Sequence, residues 1–334
     1  MSKSGRKPAF VISLDFELAW GVRDHRSLES YKRNLMGARE AVPALLRLFS
    51  DYGIHATWAT VGFLFCHGRE EAILASPTTL PRYRDRALFP YDDLPGLGKD
   101  ETADPVHFAP SLVRMIQSTP HQEIGTHTFS HFYCLEDVQS VEAFRADLAA
   151  ARKLAAKFGL ELRSLVFPRN QYASAYLPAA ADAGIIAFRG TQNSWIHSGR
   201  RRRDESAMRR GLRLIDAYIP ITSGNGFGHS NDEAGLINVP ASAFLRPYAA
   251  SRRSLEKTRL RRITNAMEQA VQIGETFHLW WHPHNFGVHL NENMNFLREI
   301  LQHQRALAQR YAMESLTMAE AAAREMVPER EVAV

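Results

Sequence analysis

Two histidines, His127 and His131, lie four residues apart directly after a short apolar run. This spacing places both imidazoles on one face of a turn or helix. Neutral imidazole is the nitrogen ligand that zinc most often takes in proteins, and a pair on one face offers two ligands at once. The pair therefore predicts a metal site, although two histidines packed in the interior are the alternative for the pair taken alone.

Two acidic residues, Asp15 and Glu17, close the apolar segment 9–14 near the start of the chain. Alternate residues of a strand point to the same side, so both carboxylates face one way and Phe16 faces the other. Neighbouring carboxylates repel each other and are costly to remove from water, and a bound cation relieves both effects. Two acids on an exposed edge are the alternative.

Two further strand ends carry groups suited to catalysis. His282 ends the segment 278–282, and Pro283 stops that strand because proline cannot donate to a sheet ladder. Arg169 follows the apolar run 165–167 and is a candidate partner that orients a carboxylate. The alternatives are a histidine packed among aromatic side chains and an arginine on the surface.

These groups occupy the ends of separate predicted strands, which is where parallel barrels carry their functional residues. Two histidines and one carboxylate make a three-ligand site with open positions, the usual form of a catalytic zinc centre. We therefore predict a divalent metal cofactor, with Zn²⁺ favoured over cobalt, nickel or manganese. Cys134, three residues after His131, is an alternative ligand.

The elements that must position these groups alternate along the whole chain. The predicted strands cover 9–14, 54–60, 123–125, 162–167, 185–188, 214–219, 236–239, 276–281 and 314–317. The predicted helices cover 31–52, 138–158, 175–183, 255–273 and 293–311. Such alternation predicts an α/β fold with a parallel sheet and helices outside it. Seven or eight units over roughly 300 residues favour a distorted (β/α) barrel.

The barrel is predicted as a single domain over residues 9–325, between a basic N-terminal tail, 1–8, and a C-terminal tail, 326–334. Two stretches rich in turn-forming residues, 76–110 and 190–233, interrupt the alternation. Long loops in compact domains are usually functional. Both stretches are therefore predicted to lie at the mouth of the barrel.

The formal net charge is +5, and arginines are concentrated in runs such as 200–203. Solvated faces are one interpretation, and attraction to an anion such as a sugar diphosphate, or to a membrane surface, is the other. Nucleic acid is not expected, because no nucleic-acid-binding motif accompanies the charge. With two cysteines, no apolar leader and no run of about 18 apolar residues, we expect a cytoplasmic protein without a transmembrane segment. A homo-oligomer is left open.

Three motifs resemble those of the polysaccharide deacetylase superfamily, and they follow one another in the order found in that family. The superfamily comprises carbohydrate esterase family 4-like proteins with a chitooligosaccharide deacetylase homology domain. The segment 13–17, Ser-Leu-Asp-Phe-Glu, resembles the first motif. The segment 125–131, Gly-Thr-His-Thr-Phe-Ser-His, is similar to the His-Ser/Thr-x-x-His metal motif, and 279–282, Leu-Trp-Trp-His, resembles the last one. The resemblance covers residues 11–284 and implies a distorted, often seven-stranded, (β/α) barrel.

The resemblance also implies roles for the site residues. Glu17, His127 and His131 would hold the metal. Asp15 would be the base that activates a water, and His282 would be the acid that protonates the leaving amine. An acid and a base that act on opposite steps agree with metal-assisted hydrolysis of an amide.

Two motifs depart from the family pattern in ways that affect the catalytic groups. Phe16 separates two acids that are often adjacent in the family, so Asp15 and Glu17 are also compatible with exchanged roles. The family places its arginine before two prolines, whereas Pro168 precedes Arg169 here. Arg169 keeps its candidate catalytic role as the residue that orients the base.

Other departures affect the substrate pocket. The segment around Trp195 has the tryptophan of the fourth motif but not its aspartates, so support of the base by an Arg–Asp pair is either missing or supplied by Asp216. Trp280 stands where a leucine of the acyl pocket is common, which predicts a different acyl pocket or a sugar-stacking wall. Trp280, Asn170 and Trp195 are the candidate substrate-binding residues.

The leading hypothesis is metal-dependent hydrolysis of an N-acetyl group from an amino sugar. The expected location favours a cytoplasmic intermediate of surface polysaccharide biosynthesis, linked to a nucleotide or lipid diphosphate, whose phosphates would meet the arginines 200–203. One alternative is a deformylase or amidase acting on a small N-acyl substrate. The other is an inactive carbohydrate-binding barrel in which Trp195, Trp280 and Trp281 stack on sugars.

Overall fold

The computed structural model describes residues 7–191, 194–219, 221, 228–232 and 234–326. The predicted tails, 1–8 and 326–334, fall almost wholly outside the described residues, and so does part of the second predicted insertion. Among the helices of these ranges, none combines the length and the apolar character that a membrane span requires.

One sheet of mostly parallel strands forms the centre of the molecule. Within the described residues its strands are β1 (Ala9–Phe16), β2 (Ala56–Thr60), β3 (Gln122–Thr126), β4 (Ser164–Leu165), β5 (Ala187–Phe188), β6 (Ser230–Asn231), β7 (Ile237–Asn238), β8 (Ala243–Phe244), β9 (Thr276–Trp281) and β10 (Glu314–Leu316). Their order is β6-β7-β5-β4-β3-β2-β1-β9-β8, with β10 beside the first half of β1. Every described pairing except that of β6 with β7 is parallel, so the predicted α/β class is confirmed.

The sheet is curled, and one extended segment, residues 237–245, borders both of its ends. In the first half of this segment, the Val239 amide donates to the Phe188 carbonyl beside β5, over 2.9 Å. In the second half, the Ser242 amide donates to the His278 carbonyl in β9, over 2.8 Å. The carboxyl ends of the parallel strands therefore face one shared mouth, as the predicted distorted barrel requires.

Strand β1 lies in the middle of this sheet and is buried over its full length. Its Leu14 is opposite Trp58 of β2 on one side and Trp281 of β9 on the other. A parallel sheet is covered on both faces, so its strands consist of nearly continuous apolar residues. This burial explains why the sequence alone identifies β1, β2 and β9.

Helices cover the outside of the sheet. Within the described residues they are α1 (Leu28–Tyr52), α2 (Arg69–Ala75), α3 (Pro110–Ser118), α4 (Val141–Lys157), α5 (Leu177–Asp182), α6 (Ala207–Asp216), α7 (Glu256–Ile273), α8 (Pro283–Phe286), α9 (Leu290–Tyr311) and α10 (Met318–Met326). Helix α1 begins where the Ser27 side chain accepts a hydrogen bond from the Ser30 amide, and it ends at Gly53, whose φ of 65° is left-handed. The predicted helix 31–52 is confirmed, with an earlier start.

The predicted strand 214–219 is wrong, because these residues form the end of α6 and the turn after it. The Ser206 side chain caps α6 by accepting a hydrogen bond from the Arg209 amide over 3.2 Å. Arg213, one turn further along, binds Glu205 at 2.7 Å. A short apolar run at the end of a helix cannot be told from a strand by its periodicity alone.

The first predicted insertion, 76–110, folds as several short turns of 3₁₀ helix. Its Tyr83 and Leu88 pack with Tyr133, which follows the histidine pair. The Tyr83 hydroxyl also accepts a hydrogen bond from the Tyr133 amide over 2.9 Å. The insertion therefore supports the segment that carries the histidines, in agreement with a place near the mouth.

Candidate metal centre and its pocket

The histidine pair lies in a loop after β3, residues 127–131, which we call the histidine loop. Thr128 and His131 have left-handed backbones, with φ of 64° and 60°. A β-branched threonine is strained in this conformation. Asp147 of α4 holds the loop, because its carboxylate accepts hydrogen bonds from the amides of Phe129, over 2.6 Å, and Ser130, over 3.1 Å. The strained loop is therefore fixed from behind by a helix.

Three side chains converge beside this loop, two from the loop itself and Glu17 from the end of β1. Glu17 Oε2 lies 3.0 Å from His131 Nε2 and 3.2 Å from His127 Nε2. One ligand atom from each side chain lies within 4.8 Å of the other two, and all three residues are buried. The predicted ligand set is thus brought together in one place.

Contacts on the far side of each imidazole show which nitrogen faces this centre. His127 Nδ1 lies 2.8 Å from the Val166 carbonyl, and His131 Nδ1 lies 2.9 Å from the Tyr133 hydroxyl. A proton on His127 Nδ1 satisfies that carbonyl and leaves Nε2 with a free lone pair. The buried His127 Nε2 has no hydrogen-bond partner among the described residues. A buried nitrogen lone pair that no hydrogen-bond donor satisfies, next to a carboxylate, can be satisfied by a divalent ion. The residues present therefore suit a metal.

The electrostatics of the centre also favour a cation. Burial alone raises the pKa of Glu17, but the charge of His282 and the close approach of the two loop histidines outweigh burial and hold it well below its usual value. Burial lowers the pKa of His131 to about 4, against the opposing effect of Glu17. Near neutral pH the centre presents an ionised carboxylate and a neutral imidazole, the forms that bind metal.

Asp15 lies next to the centre and is held by Arg189, which follows β5. Arg189 donates from Nη1 to Asp15 Oδ1 over 2.6 Å and from Nη2 to Oδ2 over 2.8 Å. Burial raises the pKa of Asp15, but the charge and hydrogen bonds of Arg189, together with the charges of His127 and His282, outweigh burial, and the pKa is lowered. Sequence reasoning missed Arg189, although it directly follows a predicted strand just as Arg169 does.

His282 follows β9 and faces both carboxylates. Its Nε2 lies 3.5 Å from Glu17 Oε1 and 3.7 Å from Asp15 Oδ2. On the other side of the ring, the Asn285 side-chain amide lies 3.3 Å from Nδ1, within hydrogen-bond distance. This contact orients the ring so that Nε2 faces the centre. His282 is therefore placed to give a proton to a group bound beside the two acids.

Residues 36–188 match the family model described as Polysaccharide deacetylase. Over these residues, a little under half of the chain, the sequence is similar to the polysaccharide deacetylase family. The matched residues include the histidine loop and Arg169. Asp15, Glu17 and His282 lie outside the match, and the fold brings them to the loop.

Solved structures share the fold of this chain. An inferred polysaccharide deacetylase from Mycobacterium smegmatis has a TM-score of 0.60 at 14% identity, with 98% of this chain and 94% of that chain covered. PuuE allantoinase has a TM-score of 0.56 at 10% identity, with 98% and 94% covered. A GH57-type branching enzyme from Pyrococcus horikoshii has a TM-score of 0.51 at 14% identity, with 97% and 71% covered. At these identities the likeness concerns the fold alone. No curated protein sequence matches the chain.

Arg169 and Asn170 follow β4, with left-handed φ values of 55° and 51°. The carboxylate partner of Arg169 is Asp24 and not the predicted base. Its guanidinium lies 4.5 Å from the centre of the Tyr133 ring, whose hydroxyl contacts a ligand histidine. Asn170 Oδ1 accepts a hydrogen bond from Arg189 over 3.0 Å. Both residues therefore support the centre indirectly, through neighbours.

The tryptophans proposed to contact sugar lie in different environments. Trp280 lines the pocket, with its ring 4.1 Å from the Arg189 guanidinium and 4.6 Å from the Phe244 ring. Trp195 is 58% exposed and is not among the residues that line the pocket. Trp281 is fully buried in the core, so a stacking role for it is wrong.

Two alternatives from the sequence do not agree with the structure. Cys134 packs in the apolar core, and among the described residues the metal-ligand group does not include it. Burial raises the pKa of its thiol well above the usual value, which disfavours the thiolate that a metal needs. Asp216 does not support the base, since its carboxylate contacts His197 at 3.3 Å and Arg262 at 3.5 Å.

One cavity of about 640 Å³ joins the centre to a wall of arginines. Asp15, Glu17, His131 and His282 line it. The arginine wall comprises Arg200, Arg210, Arg213, Arg246, Arg259 and Arg262. From the predicted run 200–203, Arg200 reaches the cavity, whereas Arg201 and Arg203 bind Asp137.

Proposed function

We propose that this protein is a metal-dependent hydrolase that removes an N-acetyl group from an amino sugar. The observation that carries the proposal is the buried group of Glu17, His127 and His131, with Asp15 and His282 beside it in one pocket. The match of residues 36–188 to the Polysaccharide deacetylase family model supports the same class of reaction.

Glu17, His127 and His131 would hold the ion, and zinc suits this set of donors best. When bound, the ion would polarise the acyl carbonyl and acidify a water for attack on it. Glu17 is the acid that contacts both imidazoles, which supports the assigned roles of the two acids over exchanged ones.

Asp15 and His282 would transfer the protons. Asp15 stays ionised near neutral pH because Arg189 lowers its pKa, and both of its oxygens are held in place, so it can accept a proton from the attacking water. His282 would give its Nε2 proton to the leaving amine. The contact between Nδ1 and the Asn285 side chain keeps Nε2 directed at the centre.

The proposal also covers the pathway of the substrate and the compartment in which the reaction takes place. Its substrate is an intermediate of surface polysaccharide biosynthesis that is processed in the cytoplasm. Cys66 and Cys134 are free, which agrees with a reducing compartment.

Metal analysis of purified protein, paired with an acetate-release assay over N-acetylated sugars, tests the proposal. We expect a stoichiometric divalent ion and a release of acetate that stops when the ion is removed and returns with Zn²⁺. Asp15→Asn should keep the metal and slow turnover at least about 100-fold. Asp92→Asn, which alters a surface ion pair with Arg86, is the matched control.

The other outcomes of this assay identify other functions. Acetate release that survives complete metal removal contradicts the mechanism. Release from small N-acyl amides but not from sugars indicates an amidase. Sugar binding that Asp15→Asn leaves unchanged, in a wild-type protein without turnover, indicates an inactive carbohydrate-binding barrel.

A further inference from the structure

The arginine wall is not used by the proposed chemistry, although it lines the same cavity. Arg246 follows β8, Arg210 and Arg213 belong to α6, and Arg259 and Arg262 belong to α7. Three separate parts of the fold thus bring guanidinium groups to one surface of the pocket. An arrangement that needs three elements is more specific than a charged run on one solvated helix.

Only part of this positive charge is neutralised within the described residues. Three members of the wall have a carboxylate partner there: Arg213 with Glu205, Arg259 with Glu256, and Arg262 with Asp216. Three others form no ion pair with any described residue: Arg200, Arg210 and Arg246. The wall therefore carries a net positive charge that faces the cavity.

Arg246 lies close to other arginines of the wall. Burial lowers the pKa of its guanidinium, and neighbouring arginines lower it further, against an opposing effect of Tyr218. Like charges that are partly removed from water are costly unless an anion balances them. The surroundings of Arg246 are therefore suited to a negatively charged ligand.

Phe244 lies between Arg246 and the reacting end of the pocket. The Phe244 ring is 5.9 Å from the His282 ring and 4.6 Å from the Trp280 ring. The Arg246 guanidinium is 5.8 Å from the same Phe244 ring. A sugar that stacks on these aromatic rings can thus place its acyl group toward His282 and an anionic substituent toward Arg246.

We propose that the substrate is a phosphorylated N-acyl sugar whose phosphate or diphosphate binds the arginine wall, with Arg246 as the central contact. This inference rests on the proposed N-deacetylation and adds the chemical class of the substrate. Guanidinium groups match phosphate oxygens in geometry as well as in charge, and they bind them through paired hydrogen bonds. A neutral polysaccharide offers the wall no comparable partner.

Calorimetric titration of the metal-loaded protein with inorganic phosphate tests the anion site without requiring turnover. Arg246→Gln removes the charge and keeps much of the side chain. We expect it to weaken phosphate binding at least about tenfold, because a hydrogen bond to a charged group is lost. Arg203→Gln is the matched control, since Arg203 binds Asp137 and does not line this cavity.

Two results of the titration would overturn the anion site. One is a wild-type protein that binds no phosphate. The other is equal binding by the wild type and Arg246→Gln, which would place the phosphate at the metal centre instead.

Kinetics with matched substrates tests the substrate class. The set is a neutral N-acetylated hexosamine, its 1-phosphate and its nucleoside diphosphate. We expect KM to be at least about tenfold lower for the phosphorylated forms. Arg246→Gln should raise KM for the phosphorylated forms at least about tenfold with kcat nearly unchanged, so that their advantage over the neutral sugar is lost. The two phosphorylated forms are then compared with each other. The one with the lower KM shows whether the phosphate belongs to a sugar 1-phosphate or to a nucleoside diphosphate sugar.

The two proposals fail in different ways. Acetate release that is equally efficient with neutral and phosphorylated sugars, and insensitive to Arg246→Gln, would overturn the arginine-wall inference and leave the deacetylase intact. No acetate release from any substrate, with phosphate binding that still depends on Arg246, would overturn the proposed reaction and leave the anion site.

Discussion

The carboxylate of Asp15 depends on one arginine that makes several contacts at once. Arg189 donates to both Asp15 oxygens, to the Ser13 hydroxyl at 2.9 Å and to Asn170 Oδ1 at 3.0 Å. Its guanidinium also lies over the Trp280 ring at 4.1 Å. Each contact restricts the orientation of the guanidinium, and the guanidinium in turn restricts the base. Arg189 is therefore a positioning residue.

Replacing Arg189 by lysine keeps the positive charge and removes the planar guanidinium group that donates to both Asp15 oxygens. We expect kcat to fall about 10–100-fold while KM changes little, because Asp15 loses its orientation and the rest of the pocket is kept. Steady-state kinetics on an N-acetylated substrate measures both constants. Arg145→Lys, at an exposed pair with Asp182, is the control. A rise in KM at constant kcat would argue against a positioning role.

Gly21 allows the ligand carboxylate of Glu17 to take its place. A Cβ built on Gly21 would lie 2.0 Å from Glu17 Oε1. We therefore expect Gly21→Ala to displace Glu17 and to weaken zinc binding about 10–100-fold in a competition titration with a chelator. At Gly211 an added Cβ meets no atom within 4 Å, so Gly211→Ala should bind zinc like the wild type. Equal affinities of the two variants would contradict the contact.

The site residues that the sequence predicts are those whose partners lie only a few positions away along the chain. His127 and His131 are separated by a single turn, and Asp15 and Glu17 lie on one side of one strand, so each pair is visible without the fold. Arg189 has no such signal, because it is a single residue after a two-residue strand. Its partner lies 174 positions away, and only the folded sheet brings the two together.

Among the elements, α4 has a direct effect on the metal centre through Asp147. The helix presents this buried carboxylate to the strained histidine loop, where it accepts two backbone hydrogen bonds and one from the Ser130 hydroxyl. Without that support, the left-handed conformation of Thr128 would relax and the two imidazoles would move apart. The conformation of the loop is thus set by a helix that contributes no ligand.

Asp147 also predicts how stability depends on pH. Burial raises its pKa to about 7, despite the hydrogen bonds that it accepts, whereas an unfolded aspartate titrates near pH ~4. The folded state then binds a proton that the unfolded state has lost. The stabilisation is complete below the unfolded pKa and is lost as the pH rises through the folded one. Between about pH 5 and 8, we expect the free energy of unfolding of the wild type to fall relative to Asp147→Asn.

Urea denaturation of both proteins across this range measures the difference. Asparagine keeps one acceptor oxygen for the loop and cannot ionise, so its curve should be flatter. Parallel curves would mean that Asp147 is ionised in the folded state throughout.

Length and burial decided which elements the sequence could predict. β1 and β9 are long and buried, and helices α1, α4, α7 and α9 each bury an apolar stripe, so periodicity identifies them. β6 and β8 have two residues each, too few to show a period. The end of α6 was mistaken for a strand because its apolar run is short and its cap lies well upstream.

At the scale of the whole molecule, an ion in the centre would join β1 to the histidine loop after β3. Its ligands come from positions 17, 127 and 131, so the unfolded chain does not offer them together. A ligand that binds the folded state alone stabilises it by mass action, by about 2.7 kcal/mol at a hundredfold excess over Kd. A bound metal would therefore contribute to stability as well as to chemistry.

We expect Zn²⁺ to raise the melting temperature of the metal-free protein by several degrees. His127→Ala should abolish most of this increase, because it removes the orphaned Nε2 lone pair. His303→Ala, at a pair with the half-exposed Glu268, should keep it. Scanning calorimetry with and without Zn²⁺ measures the shift. An equal shift in both variants would mean that the ion binds elsewhere.

The segment 237–245 has a consequence for how this fold can change. It is the spacer between the strand that precedes Arg189 and the strand that precedes His282, and it ends one residue before Arg246. One added residue before Phe244 would invert the inward and outward alternation of the remaining residues of the segment. The Phe244 ring would then turn away from the Trp280 ring, and Arg246 would be displaced relative to His282, whereas Asp15 on β1 would keep its place. The length of this segment therefore sets the distance between the acid and the proposed anion contact.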